Sequence, residues 1–156
     1  MDFFKNVSAL LAAGESLVMV VILARSGSAP RSVGSRMAVR KDGSIVGTIG
    51  GGILEARVQE LAGTVFQSHE TIVRTFTLTP EDVSLMGMIC GGQVRLLIYH
   101  VDATRPDQAL LYRKAAELLA SRRTGWLVSR IPDRDREAEA PLQGLVGPDG
   151  LHAGTL

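Results

Sequence analysis

Apolar residues recur along this chain at two spacings, and the switches between them mark out the elements. Phe3, Phe4, Val7, Leu10 and Leu11 fall on one helical face and Gly14 stops the run, which predicts a short helix over 3–14. Leu17 to Arg25 is β-rich and apolar on both faces, as a central strand is. Residues 26–34 are turn formers and read as a loop. A strand from Arg36 to Val39, the Asp42-Gly43 turn signal and a return over 44–49 make a hairpin. After Gly50-Gly51-Gly52, the residues Leu54, Val58, Leu61, Ala62 and Val65 repeat at helical spacing and leave Arg57 and Glu60 outside. Thr71 to Leu78 alternates as a strand, Pro80-Glu81-Asp82 opens a turn, and Gln93 to Val101 is another strand.

Beyond Asp102 the order repeats. A helix over 107–122, a strand over 126–131, a polar connection over 132–141 and a hairpin around Asp149-Gly150 complete the chain. A shift of 107 residues lays Asp42-Gly43 on Asp149-Gly150 and Gly47-Thr48-Ile49 on Gly154-Thr155-Leu156. The pattern allows an internal repeat of a helix–strand–hairpin unit, or two similar units that arose separately. The expected fold class is α/β: a mixed β-sheet with flanking helices in a single domain over 1–156. The motif-bearing part is 10–101 and the possible partial repeat 107–156. A second unit that stops where its triple glycine would begin also suggests a fragment of something longer.

Composition narrows the class. The chain has 156 residues, 46% hydrophobic and 21% charged, which suits one globular domain. Its net charge of +1 carries no basic, aromatic-studded stripe, so nucleic acid is not an expected partner. The longest apolar run, 17–24, is too short to cross a bilayer. Met1-Asp2-Phe3-Phe4-Lys5 lacks the basic start of a signal peptide, and a single cysteine excludes an internal disulfide. A cytoplasmic protein is expected.

Three glycine-bearing loops hold what chemistry there is, each at the end of a strand, where ligand crevices form. The loop over 26–34 brings Arg31, and Arg36 follows it. Their guanidiniums either grip a phosphate through paired bonds or sit solvated. Gly50, Gly51 and Gly52 place bare backbone at a helix start, where orphan amides favour an anion. Glu55 reads as a cap that reaches back to one of those amides. In the loop over 86–92, Cys90 precedes Gly91 and Gly92, so a thiolate there can be closely approached. Cys90 is either a soft metal ligand and sulfur carrier or a small buried hydrophobe. His69, His100 and His152 stand apart in sequence and read as structural.

Taken together, these loops resemble one family. Gly27-Ser28-Ala29-Pro30-Arg31 with Gly34, then Gly47-Thr48-Ile49-Gly50-Gly51-Gly52-Ile53-Leu54-Glu55, then Met88-Ile89-Cys90-Gly91-Gly92, resemble the N-terminal domain of the XdhC/CoxI family over residues 10–101. That family matures molybdenum hydroxylases such as xanthine dehydrogenase. The resemblance implies binding of molybdenum cofactor (molybdopterin, mononucleotide or dinucleotide) while a sulfido ligand is installed, and delivery to the apo-hydroxylase. It implies Ser28, Pro30, Arg31, Gly34, Gly50, Gly51, Gly52, Glu55, Cys90, Gly91 and Gly92 as the cofactor-binding set. Cys90 is placed near molybdenum or as the reactive thiol. The implied partners are the apo-enzyme and a cysteine desulfurase. Family members carry a further Rossmann-like domain absent from these 156 residues, so a separate Rossmann-bearing subunit is a third expected partner, and a homo-oligomer is plausible. A cofactor chaperone without turnover is the first reading. A sulfur-transfer enzyme acting through Cys90 and a ligand-free interaction module are the alternatives.

Overall fold

A computed structural model describes residues 2–27, 31–79, 92–133 and 135–155. Six strands form the main sheet, in the order β3-β2-β1-β5-β4-β7. These are β1 (Leu17–Gly27), β2 (Arg36–Val39), β3 (Ile45–Gly47), β4 (Thr71–Thr77), β5 (Gly92–Val101) and β7 (Arg136–Glu137). Helix α1 (Phe3–Ala12) precedes the sheet, and α2 (Gly52–Ser68) links β3 to β4. The expected sheet with flanking helices is there, but the anticipated mixed pairing is not. Every ladder among the described residues is antiparallel. The reason lies in the crossover. β3 and β4 run in the same direction, yet β2, β1 and β5 stand between them, so the α2 connection creates no parallel ladder.

Side-chain alternation divides the core in two. Val18, Val20 and Ile22 of β1, with Val94, Leu96 and Ile98 of β5, face α2 and meet its buried stripe of Leu54, Val58, Ala62 and Val65. Leu17 and Met19, with Leu97, Tyr99 and Val101, face the other way and are covered by Val7 and Leu11 of α1 and Tyr112 of α3 (Pro106–Ala120). Over 17–22 and 96–101 the two central strands are thus buried on both sides, which is why those stretches are almost wholly apolar.

A second sheet, β6-β8-β9, joins Trp126–Ser129, Gln143–Gly147 and Gly150–Gly154. Leu145 and Ala153 pack it onto α3. The two sheets are tied by a buried polar relay. The Tyr99 and Tyr112 hydroxyls lie 2.9 Å apart, and Gln143 Nε2 donates to Tyr99 (2.9 Å) and to Ser129 Oγ (2.7 Å). Burial pushes both phenols above their ordinary range, so they remain neutral hydrogen-bonding groups. The first helix and sheet edge (α1, then the order β1-β2-β3) and the last (α3, then β6-β8-β9) share a connectivity. Met37 opposite Gly47 and Gly144 opposite Gly154 stand 107 positions apart. The likeness is one of connectivity and leaves open whether the unit was duplicated. The 132–141 connection, read as polar coil, contributes β7, which pairs Thr71 with Glu137 and Ile72 with Arg136.

Candidate functional site

Pairing between β1 and β5 determines where the glycine loops go. It runs from Leu17 opposite Val101 to Gly27 opposite Gly92, with one register shift between Ile22 and Ala24. The loop after β1 and the loop before β5 therefore leave from one rung. The helix α2 brings the triple glycine to the same end. Its last turn lies beside His100, and its 17 residues span about 25 Å at about 1.5 Å per residue. The eight steps of β5 back to Gly92 cover about the same length at about 3.3 Å each. At that rung the Leu78 amide donates to the Gly92 carbonyl at 2.8 Å, and the Leu78 side chain joins the core under α2.

Gly50, Gly51 and Gly52 all take positive φ, at 133°, 84° and 60°. Three such residues in a row turn the chain from the strand edge into α2, a path that side chains with a Cβ resist. The amides exposed by that turn are not bare. Glu55 Oε1 accepts from Thr48 Oγ1 (2.5 Å), Ile49 N (3.1 Å) and Gly51 N (2.9 Å), and Gly50 N donates to Thr48 Oγ1 (3.1 Å). A carboxylate of the chain itself thus fills the anion-favouring position at the start of α2. Glu55 sits one position later than a capping box requires, because the N-cap is Gly51.

On the α1 side of the sheet, the loop from Arg31 to Arg36 borders an open cleft of about 290 Å³. Gly34 (φ 85°) donates its amide to the Ile22 carbonyl (2.9 Å), which folds the loop back along β1. The half-buried Arg36 donates from Nη1 to the Gly34 carbonyl (3.0 Å), and its guanidinium carbon lies 5.6 Å from the Phe4 ring centre. Arg31 is exposed and makes no ion pair among the described residues. Phe3, Phe4, Gly47 and Thr48 complete the lining. Sequence reading missed the two rings as site residues, because at helical spacing they look like ordinary packing. Ser28, Pro30, Cys90 and Gly91 lie outside the described residues.

The histidines read as isolated are not all so. At the far end of α2, His69 caps the helix in the left-handed region (φ 58°) and stacks on His100, with ring centres 4.1 Å apart and planes 4° from parallel. Parallel rings cannot both point a lone pair at one ion, so the pair as it stands is no chelate. Burial, and then the neighbouring His69, hold His100 below the usual histidine range, and Asp102 opposes them.

Residues 10–77 match the model of the XdhC and CoxI family. Over that stretch the chain is of XdhC/CoxI type. The chain is 32% identical over 111 residues to the uncharacterized protein YqeB of Escherichia coli (strain K12), covering 71% of this chain and 20% of that one. Against the molybdenum cofactor insertion chaperone PaoD of the same organism it is 30% identical over 105 residues, 66% of this chain and 32% of PaoD. A probable xanthine dehydrogenase subunit of Bacillus subtilis (strain 168) is 28% identical over 122 residues, 77% and 36% of the two chains. Among solved structures, a Bacillus halodurans protein described as a xanthine dehydrogenase superposes with a TM-score of 0.78 at 21% identity. That match covers all of this chain and 46% of the other, and establishes the fold. The chain thus spans between a fifth and about a third of the length of these curated relatives.

Within this XdhC/CoxI-type domain the two ends of α2 give separate predictions. Glu55→Ala strands two amides and a hydroxyl. Stability in urea should fall by about 1–3 kcal/mol, and hydrogen exchange at Ile49 and Gly51 should speed up; unchanged exchange there would refute the clasp. For His100 the folded state binds its proton less readily than the unfolded state does. Stability contributed by the neutral ring is therefore present above pH ~6.5 and is lost as pH falls below it. Urea midpoints taken from pH 7.5 to 5.5 should drop for the wild type and drop less for His100→Phe.

Proposed function

We propose that the domain holds molybdenum cofactor for a molybdenum hydroxylase of the xanthine dehydrogenase kind, as a maturation factor rather than as the hydroxylase itself. The carrying observation is that the Gly27–Gly92 rung and the triple-glycine turn lie toward one end of the sheet, in a chain with an XdhC/CoxI match over residues 10–77. Side-chain-free backbone there leaves room for a bulky, polar ligand to approach the main chain. The cofactor is an anionic pterin dithiolene, and Arg31 and Arg36 supply positive charge in the cleft across the sheet that Thr48, two residues before the triple glycine, also lines. PaoD, a molybdenum cofactor insertion chaperone, and the Bacillus subtilis xanthine dehydrogenase relative support the same assignment.

In this reading the domain keeps the cofactor sheltered while a cysteine desulfurase provides the sulfur for its terminal sulfido ligand, then passes it to the apo-hydroxylase. Cys90, beside Gly91 and Gly92, is the residue we assign to the metal or to the incoming sulfur. The test is direct. Protein purified without oxygen from cells that make the cofactor should carry pterin, measured by fluorescence after oxidation, and molybdenum, measured by mass spectrometry, each near one per chain. Protein that carries neither refutes the proposal.

A further inference from the structure

We infer that the cleft between the first turn of α1 and the Arg31–Arg36 loop is a binding site for the phosphate end and adjoining ring of a phosphorylated planar heterocycle. The inference rests on the cofactor reading above and assigns to this cleft the part of the ligand it takes. Four observations carry it.

The first is charge. Two guanidiniums border the cleft, and no carboxylate stands among its lining residues. Arg36 Nε is a buried donor without an acceptor among the described residues. A buried unsatisfied donor is costly, and a planar guanidinium is well matched to phosphate oxygens. The second is the state of the alternative. At the start of α2 the Glu55 carboxylate already accepts from Ile49 N and Gly51 N, so an arriving anion would meet a resident negative charge there and meets none among the residues lining the cleft. The third is the wall opposite. Phe3 and Phe4 meet edge to face, with centres 5.5 Å apart, and put apolar ring surface beside the two cations. Gly47 fixes that wall. A Cβ at this position would come within 2.8 Å of the Phe3 ring and 2.6 Å of the Arg36 carbonyl, so α1 lies directly on β3 there. The fourth is size. At about 290 Å³ the cleft is at the lower limit for small-molecule sites, enough for a phosphate and a ring system but not for a whole dinucleotide. A second nucleotide, where the ligand carries one, projects outside it.

The consequence is that the N-terminal helix, most of which precedes the family-matched residues 10–77, is part of the ligand site. Calorimetric titration with a pterin carrying one phosphate ester, with unphosphorylated pterin and with inorganic phosphate checks this. The phosphorylated pterin should bind at least about tenfold more tightly than either part. Arg31→Gln, an exposed position that leaves the core untouched, should weaken it by about 10- to 100-fold. Arg36→Gln should do the same, and Phe3→Ala should weaken the phosphorylated pterin while leaving inorganic phosphate unchanged. Equal binding by wild type and both arginine variants, or no binding of the phosphorylated pterin, overturns the inference. Molybdopterin retained in full by purified Arg31→Gln would also overturn it, leaving the maturation role standing. Arginine-dependent binding of the probe by a wild type that carries no molybdopterin would support the cleft and refute the role.

Discussion

The ladder between β1 and β5 is the interaction on which the rest depends. Over 17–22 and 96–101 these strands are buried on both faces, and their alternating side chains form the floor of two cores, one under α2 and one under α1 and α3. Burying such side chains stabilises by about 1.5–3 kcal/mol each, and slipping the register by one residue would turn every one of them to the wrong side. Register is therefore strongly fixed as far as Ile22, and beyond the shift between Ile22 and Ala24 the ladder continues out to Gly27 and Gly92. Two loops separated by more than fifty residues in the chain begin on one rung as a result. The loops owe their proximity to the core, not to their own composition.

The same helix that seals one core carries the site's other half. α2 starts at the triple glycine and ends at the stacked histidines, so one rigid rod spans from the glycine end of the sheet to its opposite end. At its start, a carboxylate from the helix opposes the dipole and binds the amides of Ile49 and Gly51. This separates two tasks that look like one in the sequence. The glycines shape the turn and keep side chains out of the way, while positive charge for a ligand stands across the sheet, on Arg31 and Arg36. Thr48 connects the two sides, lining the arginine cleft and donating to Glu55.

Much of this could be read from the residues. The apolar runs within β1 and β5, the α2 stripe and the hairpin signals at Asp42-Gly43 and Asp149-Gly150 follow from local periodicity, and the elements formed close to the expected places. A three-glycine run between strand and helix announced a turn with positive φ. What could not be read depends on distance in the chain. His69 and His100 are 31 positions apart and meet only because α2 runs back along β5. Phe3 and Phe4 fit a helical face, and nothing local says that the face ends at two arginines. The antiparallel character of the sheet was hidden because strand–helix–strand spacing looks the same whether or not the joined strands are neighbours. The two-residue β7 lies in a charged stretch with no alternation to betray it.

The most direct measurement is of the outer rungs of the central ladder. In a two-dimensional nuclear Overhauser spectrum of the isotopically labelled chain, backbone protons of Ser26 and Gly27 should show cross-strand contacts to those of Gln93 and Gly92, continuous with contacts between Val18 and His100 at the other end. Cross-strand contacts that stop at Ile22, with no contact between Gly27 and Gly92, would mean that the glycine loops do not start from one rung, and the shared site would have no structural basis.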